Sequence, residues 1–367
     1  MSVALPQREL ALTPGLLAWL RADSAWPSLP LAWRQRAHWR ARWGGLNARL
    51  SAAHGMPLVD ARPPDPVLIA GPWRSGTSAL HELLVAATGG VTALTWQCMN
   101  ATAFALTGAP RSPSTAPRPM DGLHVGSHSP QEDEFALLTL GVDSAYRAFL
   151  MPHRIDSLHH TLDPQHWLSH PDWLAPWHQF LQGVRRTLPG AKSPLILKSP
   201  NHSFRLPAIL AHHPGARVVW MARPASEVLA SNRKMWRAMF ATYGLTAEVD
   251  AQALDRFLAQ ALHRSAEMIH WCARQLPAGQ FCLVSQAALR RAPVATVQAV
   301  CRQLQLPFGE TQAWRTVLDR VKGLQADRYP ATPLPVELTQ ATAQLDAAYT
   351  ALGSMRQDRQ AAVIHDA

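Results

Sequence analysis

Arg74, Lys198 and Arg223 each stand at or just beyond the end of a short apolar run, where a cation can grip an anion. Arg74 lies within GPWRSGTS (71–78), between the run PVLIA (66–70) and a helical pattern, TSALHELLVAA. In such a turn, consecutive backbone N–H groups converge and the helix start adds roughly half a positive charge. Gly71 and Gly76 keep Cβ atoms away from a ligand's oxygens, and Ser75, Thr77 and Ser78 add hydroxyl donors. A nucleotide-hydrolysing loop carries a lysine directly after its last glycine; here Gly76 is followed by Thr77. Arg74 supplies a planar donor fork instead, which suits an anion bound without the usual lysine–magnesium arrangement.

A second anion grip is written in ARVVWMARPASEVLASNRKMW (216–236). Arg223 falls at the carboxyl end of an apolar run, Pro224 opens a helix where its missing N–H does no harm, and Ser231 returns to the helix start two turns on. Between the two grips, PLILKSPNHSFRLPAIL ends an apolar run in Lys198, one of only four lysines among 35 basic residues. His202, four residues on, either faces the cleft or caps the next helix. Candidate general bases in the stretch from His124 to Glu134 are His124, His128 and Glu132, and His202 is a further option outside it. Ser129-Pro-Gln-Glu132 also fits a capping box with proline at the first helical position, which would make Glu132 a cap and nothing more.

The elements that must position these groups are legible as texture. PVLIA (66–70), PLILK (194–198), ARVVWMA (216–222) and FCLVS (281–285) are apolar on both faces, and each precedes a helical pattern. That alternation predicts an α/β fold with a central parallel sheet covered by helices on two sides. Strand carboxyl ends are where such sheets bind ligands. Residues 101–129, rich in Pro, Ser and Gly, read as a long loop of the lid or binding kind. The expected organisation is a helical N-terminal extension (1–62), an α/β domain (63–330) and a C-terminal helical segment (331–367) packed on the same domain.

Within the extension, WRQRAHWRARW (33–43) reads in two ways. It is either a helix packing a tryptophan face on the main domain with arginines outward, or a basic amphipathic helix resting on a lipid or nucleic-acid surface. Apolar residues make up 47% and charged ones 16% of the 367 residues, which excludes a disordered chain. A formal net charge of +10 favours anionic ligands. The four cysteines show no metal-site or disulfide spacing and read as buried thiols; neither a signal-peptide layout nor a membrane-length apolar run is present. The expected location is the cytoplasm.

On these motifs the chain resembles the sulfotransferases that use 3′-phosphoadenosine 5′-phosphosulfate (PAPS), most nearly the bacterial branch and the related protein-tyrosine sulfotransferases. The likeness spans about Pro66 to Phe308. PVLIAGPWRSGTSALHELL resembles the family's 5′-phosphosulfate loop, and ARVVWMARPASEVLAS its 3′-phosphate motif, an Arg followed eight positions on by a Ser. LILKSPNHSFRLPAIL, SPQEDEFALL and FCLVSQAALRRAPVATVQAVCRQLQLPF are similar to further segments. Pro-Ala after Arg223 replaces the usual Asp-Pro, and Ser285–Leu289 lacks the usual acidic pair. The resemblance implies a P-loop-like three-layer fold and PAPS as cosubstrate, with 3′-phosphoadenosine 5′-phosphate (PAP) released and no metal required. Arg74, Ser75, Gly76, Thr77 and Ser78 would hold the 5′-phosphosulfate, and Arg223 with Ser231 the 3′-phosphate. Lys198 would stabilise charge, and Glu132 or His128 would take the proton of a hydroxyl on a small or lipid-like acceptor. Nucleic acid is not expected as a partner, while peripheral membrane contact through 33–49 stays open. The alternatives are an unusual P-loop phosphotransferase, which the missing lysine disfavours, and a non-catalytic basic module binding nucleotide or membrane.

Overall fold

The computed structural model describes residues 11–53, 62–112, 114–121, 124–188, 193–246, 250–323, 334–354 and 363–364. Its main sheet contains β1 (Val67–Ala70), β4 (Ile196–Lys198), β5 (Arg217–Ala222), β6 (Phe281–Ser285) and β7 (Val363–Ile364), all parallel, in the order β4-β1-β5-β6-β7. The four strands expected from sequence are present, each followed by a helix. The fifth, β7, was not expected, because two residues are too few to show a pattern.

Alternation along these strands divides the interior. Val67, Ile69, Val219, Met221, Cys282 and Val284 point to one face, where they pack with Leu80, Leu83 and Leu84 of the Thr77–Thr88 helix. Leu68, Ala70, Val218, Trp220, Phe281 and Leu283 point to the other, among Val228 and Leu229 of the Ala225–Tyr243 helix. Period-2 geometry sends successive side chains to opposite faces, so strands that are apolar throughout need helices on both. The three-layer α/β architecture follows.

Both terminal helical segments join the second core. Leu16, Leu20, Trp33, Ala37 and Ala41 from the N-terminal helices, and Leu345, Ala348 and Leu352 from the Val336–Ser354 helix, belong to it. The Leu31–Ala53 helix divides its tryptophans, however: Trp33 is buried, while Trp39 and Trp43 stay exposed. A tryptophan face turned wholly inward is therefore not what forms. The 101–129 loop contains a short helix, Phe104–Thr107, and a hairpin of β2 (Thr115–Pro117) with β3 (His124–Gly126). The four cysteines are free and buried, as read.

Candidate active site

β1 ends at Ala70, and the chain turns through three residues of positive φ: Gly71 (124°), Arg74 (68°) and Gly76 (97°). A Cβ on Gly71 would lie 2.7 Å from the Met221 carbonyl oxygen, so β5 excludes any larger residue there. Gly76 precedes the Thr77–Thr88 helix and no side chain caps it. The first-turn N–H groups of a helix have no intrahelical partner, so they remain donors for an incoming anion. Ser75 is buried, its hydroxyl donating to the Pro72 carbonyl (2.7 Å); Thr77 is buried and Ser78 half-buried at the helix start.

The Ala225–Tyr243 helix supports the loop from one side. Asn232 donates its amide to the Trp73 carbonyl (2.8 Å), and Arg223, at the end of β5, donates to the Arg74 carbonyl (2.9 Å). Arg74 Nε donates to Ser231 Oγ (3.0 Å). A non-glycine residue in the left-handed region costs ~1–2 kcal/mol, and these contacts hold Arg74 in it. Arg74, Arg223 and Ser231, read from two separate motifs, thus share one cluster. Asp121 joins it: its carboxylate accepts from Arg74 Nη1 (3.0 Å) and pairs with Arg118. Burial would raise the Asp121 carboxyl, but the two guanidinium groups hold it below the usual carboxylate range. Arg223 also pairs with Glu227 one helical turn on (2.9 Å).

The second cluster sits at the end of β4. Lys198, buried, places Nζ 2.6 Å from Glu132 Oε1, and the Tyr146 hydroxyl donates to Glu132 Oε2 (2.6 Å). Tyr146 in turn accepts the indole N–H of Trp73 (3.1 Å), so hydrogen bonds run from the β1 loop to Glu132. Burial and the Glu132 charge push the Tyr146 phenol well above its ordinary value, so it stays a donor.

Glu132 caps no helix. The next helix begins at Glu134, and the Ser129 hydroxyl is taken by the Gly126 N–H (3.0 Å), so the expected capping box is not formed. Three consecutive acids meet three bases spaced along one segment instead. Glu132 meets Lys198, Asp133 meets His202 (2.8 Å), and Glu134 is held by both Arg205 terminal nitrogens. Burial would raise the Asp133 carboxyl, but His202 and the Trp177 indole N–H hold it low. His202 is therefore buried structure and neither lines the cleft nor caps. His128 is exposed, its ring 3.1 Å from the Ser127 hydroxyl, and His124 is exposed at the start of β3.

Sequence reasoning missed Trp73, Asp121, Tyr146 and Asn232. A tryptophan inside a phosphate-type loop was a usable signal for the first. Asn232 directly follows Ser231 in a motif already read, so its position was a usable signal too, whereas Asp121 and Tyr146 sit in segments whose approach to the loop only tertiary packing sets.

A family model described as the sulfotransferase family matches residues 66–310, from the start of β1 through the two helices beyond β6. The chain belongs to the sulfotransferase family. Among curated relatives, the omega-hydroxy-beta-dihydromenaquinone-9 sulfotransferase Stf3 of Mycobacterium bovis is 31% identical over 185 residues, 49% of this chain and 47% of that protein. The Mycobacterium tuberculosis protein of the same name matches equally. The chain thus spans about half the length of the curated relatives it matches. Among solved structures, sulfotransferase STF1 of Mycobacterium tuberculosis superposes with a TM-score of 0.59 at 18% identity, covering 90% of both chains. Sulfotransferase STF9 of Mycobacterium avium gives 0.60 at 16%, covering 92% of this chain and 90% of that one. These two establish a shared fold.

Proposed function

We propose that this chain moves a sulfuryl group from PAPS to a hydroxyl of a small, lipid-like acceptor and releases PAP. The observation that carries the reading is the convergence of two clusters at the carboxyl ends of adjacent strands: Arg74, Ser231 and Arg223 beside β1 and β5, and Lys198 with Glu132 at β4. An uncapped helix start directly after the β1 loop supports the reading of that loop as a phosphosulfate site. Arg223 and Ser231 would read the 3′-phosphate that distinguishes PAPS from ATP, much as an arginine distinguishes NADP from NAD.

Sulfuryl transfer resembles phosphoryl transfer: in-line attack, a loose transition state, and charge growing on the leaving oxygen. The acceptor oxygen forms the new S–O bond as the bond from sulfur to the 5′-phosphate breaks, and the hydroxyl proton passes to Glu132. Both Glu132 oxygens already accept one hydrogen bond each, and a carboxylate oxygen has room for a second. Lys198 and Arg74 supply positive charge beside the departing oxygen, fixed in place before reaction. His128, exposed on its turn, is the second candidate for the base. A lipid-like acceptor is favoured by the curated relatives, whose acceptor is a hydroxylated menaquinone derivative.

The deciding experiment is thermal denaturation with PAP, ATP or neither, in the absence of added metal. PAP is expected to raise Tm well beyond ATP; equal shifts would overturn the donor assignment. Screening hydroxylated isoprenoids and quinones for PAPS-dependent PAP release then tests the acceptor class.

A further inference from the structure

The exposed face of the Leu31–Ala53 helix has no role in the chemistry above. Of the eight large hydrophobic residues that are exposed among the described residues, five lie on it: Leu31, Trp39, Trp43, Leu46 and Leu50. Trp39, Trp43, Leu46 and Leu50 recur at intervals of four, three and four, so they form one stripe along about three turns. Trp39 is 63% and Trp43 50% exposed, yet their rings stack on each other, centroids 5.7 Å apart and planes at 27°. Two tryptophans held side by side in water expose more apolar surface than a solvated helix face needs.

Charge frames the stripe. At 100° per residue, Arg36 and Arg40 flank it on one side and Arg42 and Arg49 on the other, and the helix contains no Asp or Glu. Tryptophan bodies between rows of arginine match the layering of a bilayer surface. Indoles settle at the boundary between headgroups and acyl chains, and guanidinium groups reach the phosphates. A protein partner would have to cover this basic field with acidic groups, whereas an anionic leaflet presents them everywhere.

The helix also adjoins the 101–129 loop. The Ser51 hydroxyl donates to the Thr102 carbonyl (2.8 Å), tying the C-terminal part of the helix to the segment that leads into the β2–β3 hairpin. Leu106, exposed on the short Phe104–Thr107 helix, extends the apolar surface there.

We infer that the stripe Trp39, Trp43, Leu46 and Leu50, with its flanking arginines, is a docking surface for an anionic lipid bilayer. The inference stands on this helix alone and survives if the donor or acceptor assignment fails. The helix lies along the surface and does not cross it; no described helix is long and apolar enough to span a membrane.

The test is co-sedimentation of the full chain with phosphatidylcholine vesicles, with and without phosphatidylglycerol, at low and high salt. Wild type is expected to bind the phosphatidylglycerol vesicles preferentially, and less as salt screens the charges. Trp39→Ser/Trp43→Ser should weaken binding at least about tenfold, and Arg42→Ser/Arg49→Ser should remove the preference for the anionic lipid. Tm of each variant, measured in parallel, should stay near wild type because these side chains are exposed. Equal binding by wild type and the tryptophan double variant, or no preference for phosphatidylglycerol, overturns the proposal. So does a wild-type dimer in light scattering that the tryptophan variant converts to monomer, or an RNA oligonucleotide bound more tightly than the vesicles through the same residues.

Discussion

Lys198 Nζ lies 2.6 Å from Glu132 Oε1, a pair joined across 66 residues of chain and almost closed to solvent on the lysine side. If Glu132 takes the acceptor's proton, Glu132→Gln keeps the side-chain shape and the Tyr146 hydrogen bond but loses the base. The turnover number should then fall by about 10²–10⁴-fold while PAP affinity changes little. A Gln variant that remains active, alongside a His128→Ala variant that loses turnover at unchanged Tm, would move the role to His128.

Arg223 reaches the loop through the Arg74 carbonyl and carries its own partner, Glu227. Arg223→Ala should weaken PAP binding by ~1.5–3 kcal/mol, the range for a hydrogen bond to a charged group. Isothermal titration would read it directly. A loss equally large for adenosine 5′-phosphosulfate, which lacks the 3′-phosphate, would show that Arg223 supports the loop and does not read that phosphate.

Asp121 places a negative charge on Arg74, where the donor's anion is expected. Asp121→Asn removes that competitor, so PAP should bind more tightly and the gain should shrink with added salt. Weaker binding in the variant would mean that Asp121 positions Arg74 for the donor.

Glu134 and Arg205 are both closed to solvent, and the guanidinium also lies 4.1 Å from the Trp167 ring centre. Breaking a buried pair from one side leaves an uncompensated charge, so Glu134→Ala should cost about 3–5 kcal/mol of stability. Chemical denaturation measures it. A cost below about 1 kcal/mol would mean that water reaches Arg205 in the folded protein.

His81 is buried against the Thr92 hydroxyl (2.7 Å), and burial, helped by the Lys198 charge, lowers its pKa to about 3. Between pH 6.5 and that value the unfolded chain binds a proton that the folded protein refuses. Stability therefore falls as pH falls through this window, by about 1.4 kcal/mol per pH unit for a single group. His81→Gln should remove that slope; an unchanged pH profile in the variant would show that His81 titrates normally in the fold.

The sheet, the glycine turn after β1 and the cations Arg223 and Lys198 at strand ends were legible because each is local. A strand apolar on both faces, a glycine turn and a cation at a strand end all occupy a few consecutive residues. Tyr146 and Asp121 were not, since nothing near Tyr146 in the chain marks it as the neighbour of Trp73 and Glu132. The reading of Glu132 as a cap failed for a related reason. Ser129-Pro-Gln-Glu132 satisfies the local rule for a helix start, but Lys198 and Tyr146 offer the carboxylate stronger partners from elsewhere in the chain. Trp39 and Trp43 show the reverse limit, because periodicity identifies a stripe and not whether anything covers it.

The placement of β1 has a consequence for how the chain is made. Val67 pairs on one side with Ile196 and on the other with Arg217. During synthesis, the earliest strand of the sheet emerges long before either neighbour exists. At common elongation rates of ~5–20 residues per second, that interval lasts roughly 6–26 s. Throughout it, VLIA is apolar on both faces with an open backbone edge on either side, the state most prone to wrong pairing. Newly made chains should depend on chaperones during that interval more than the finished protein does. Slower translation upstream of β5 should lower the yield of folded protein, whereas slower translation after β6 should not.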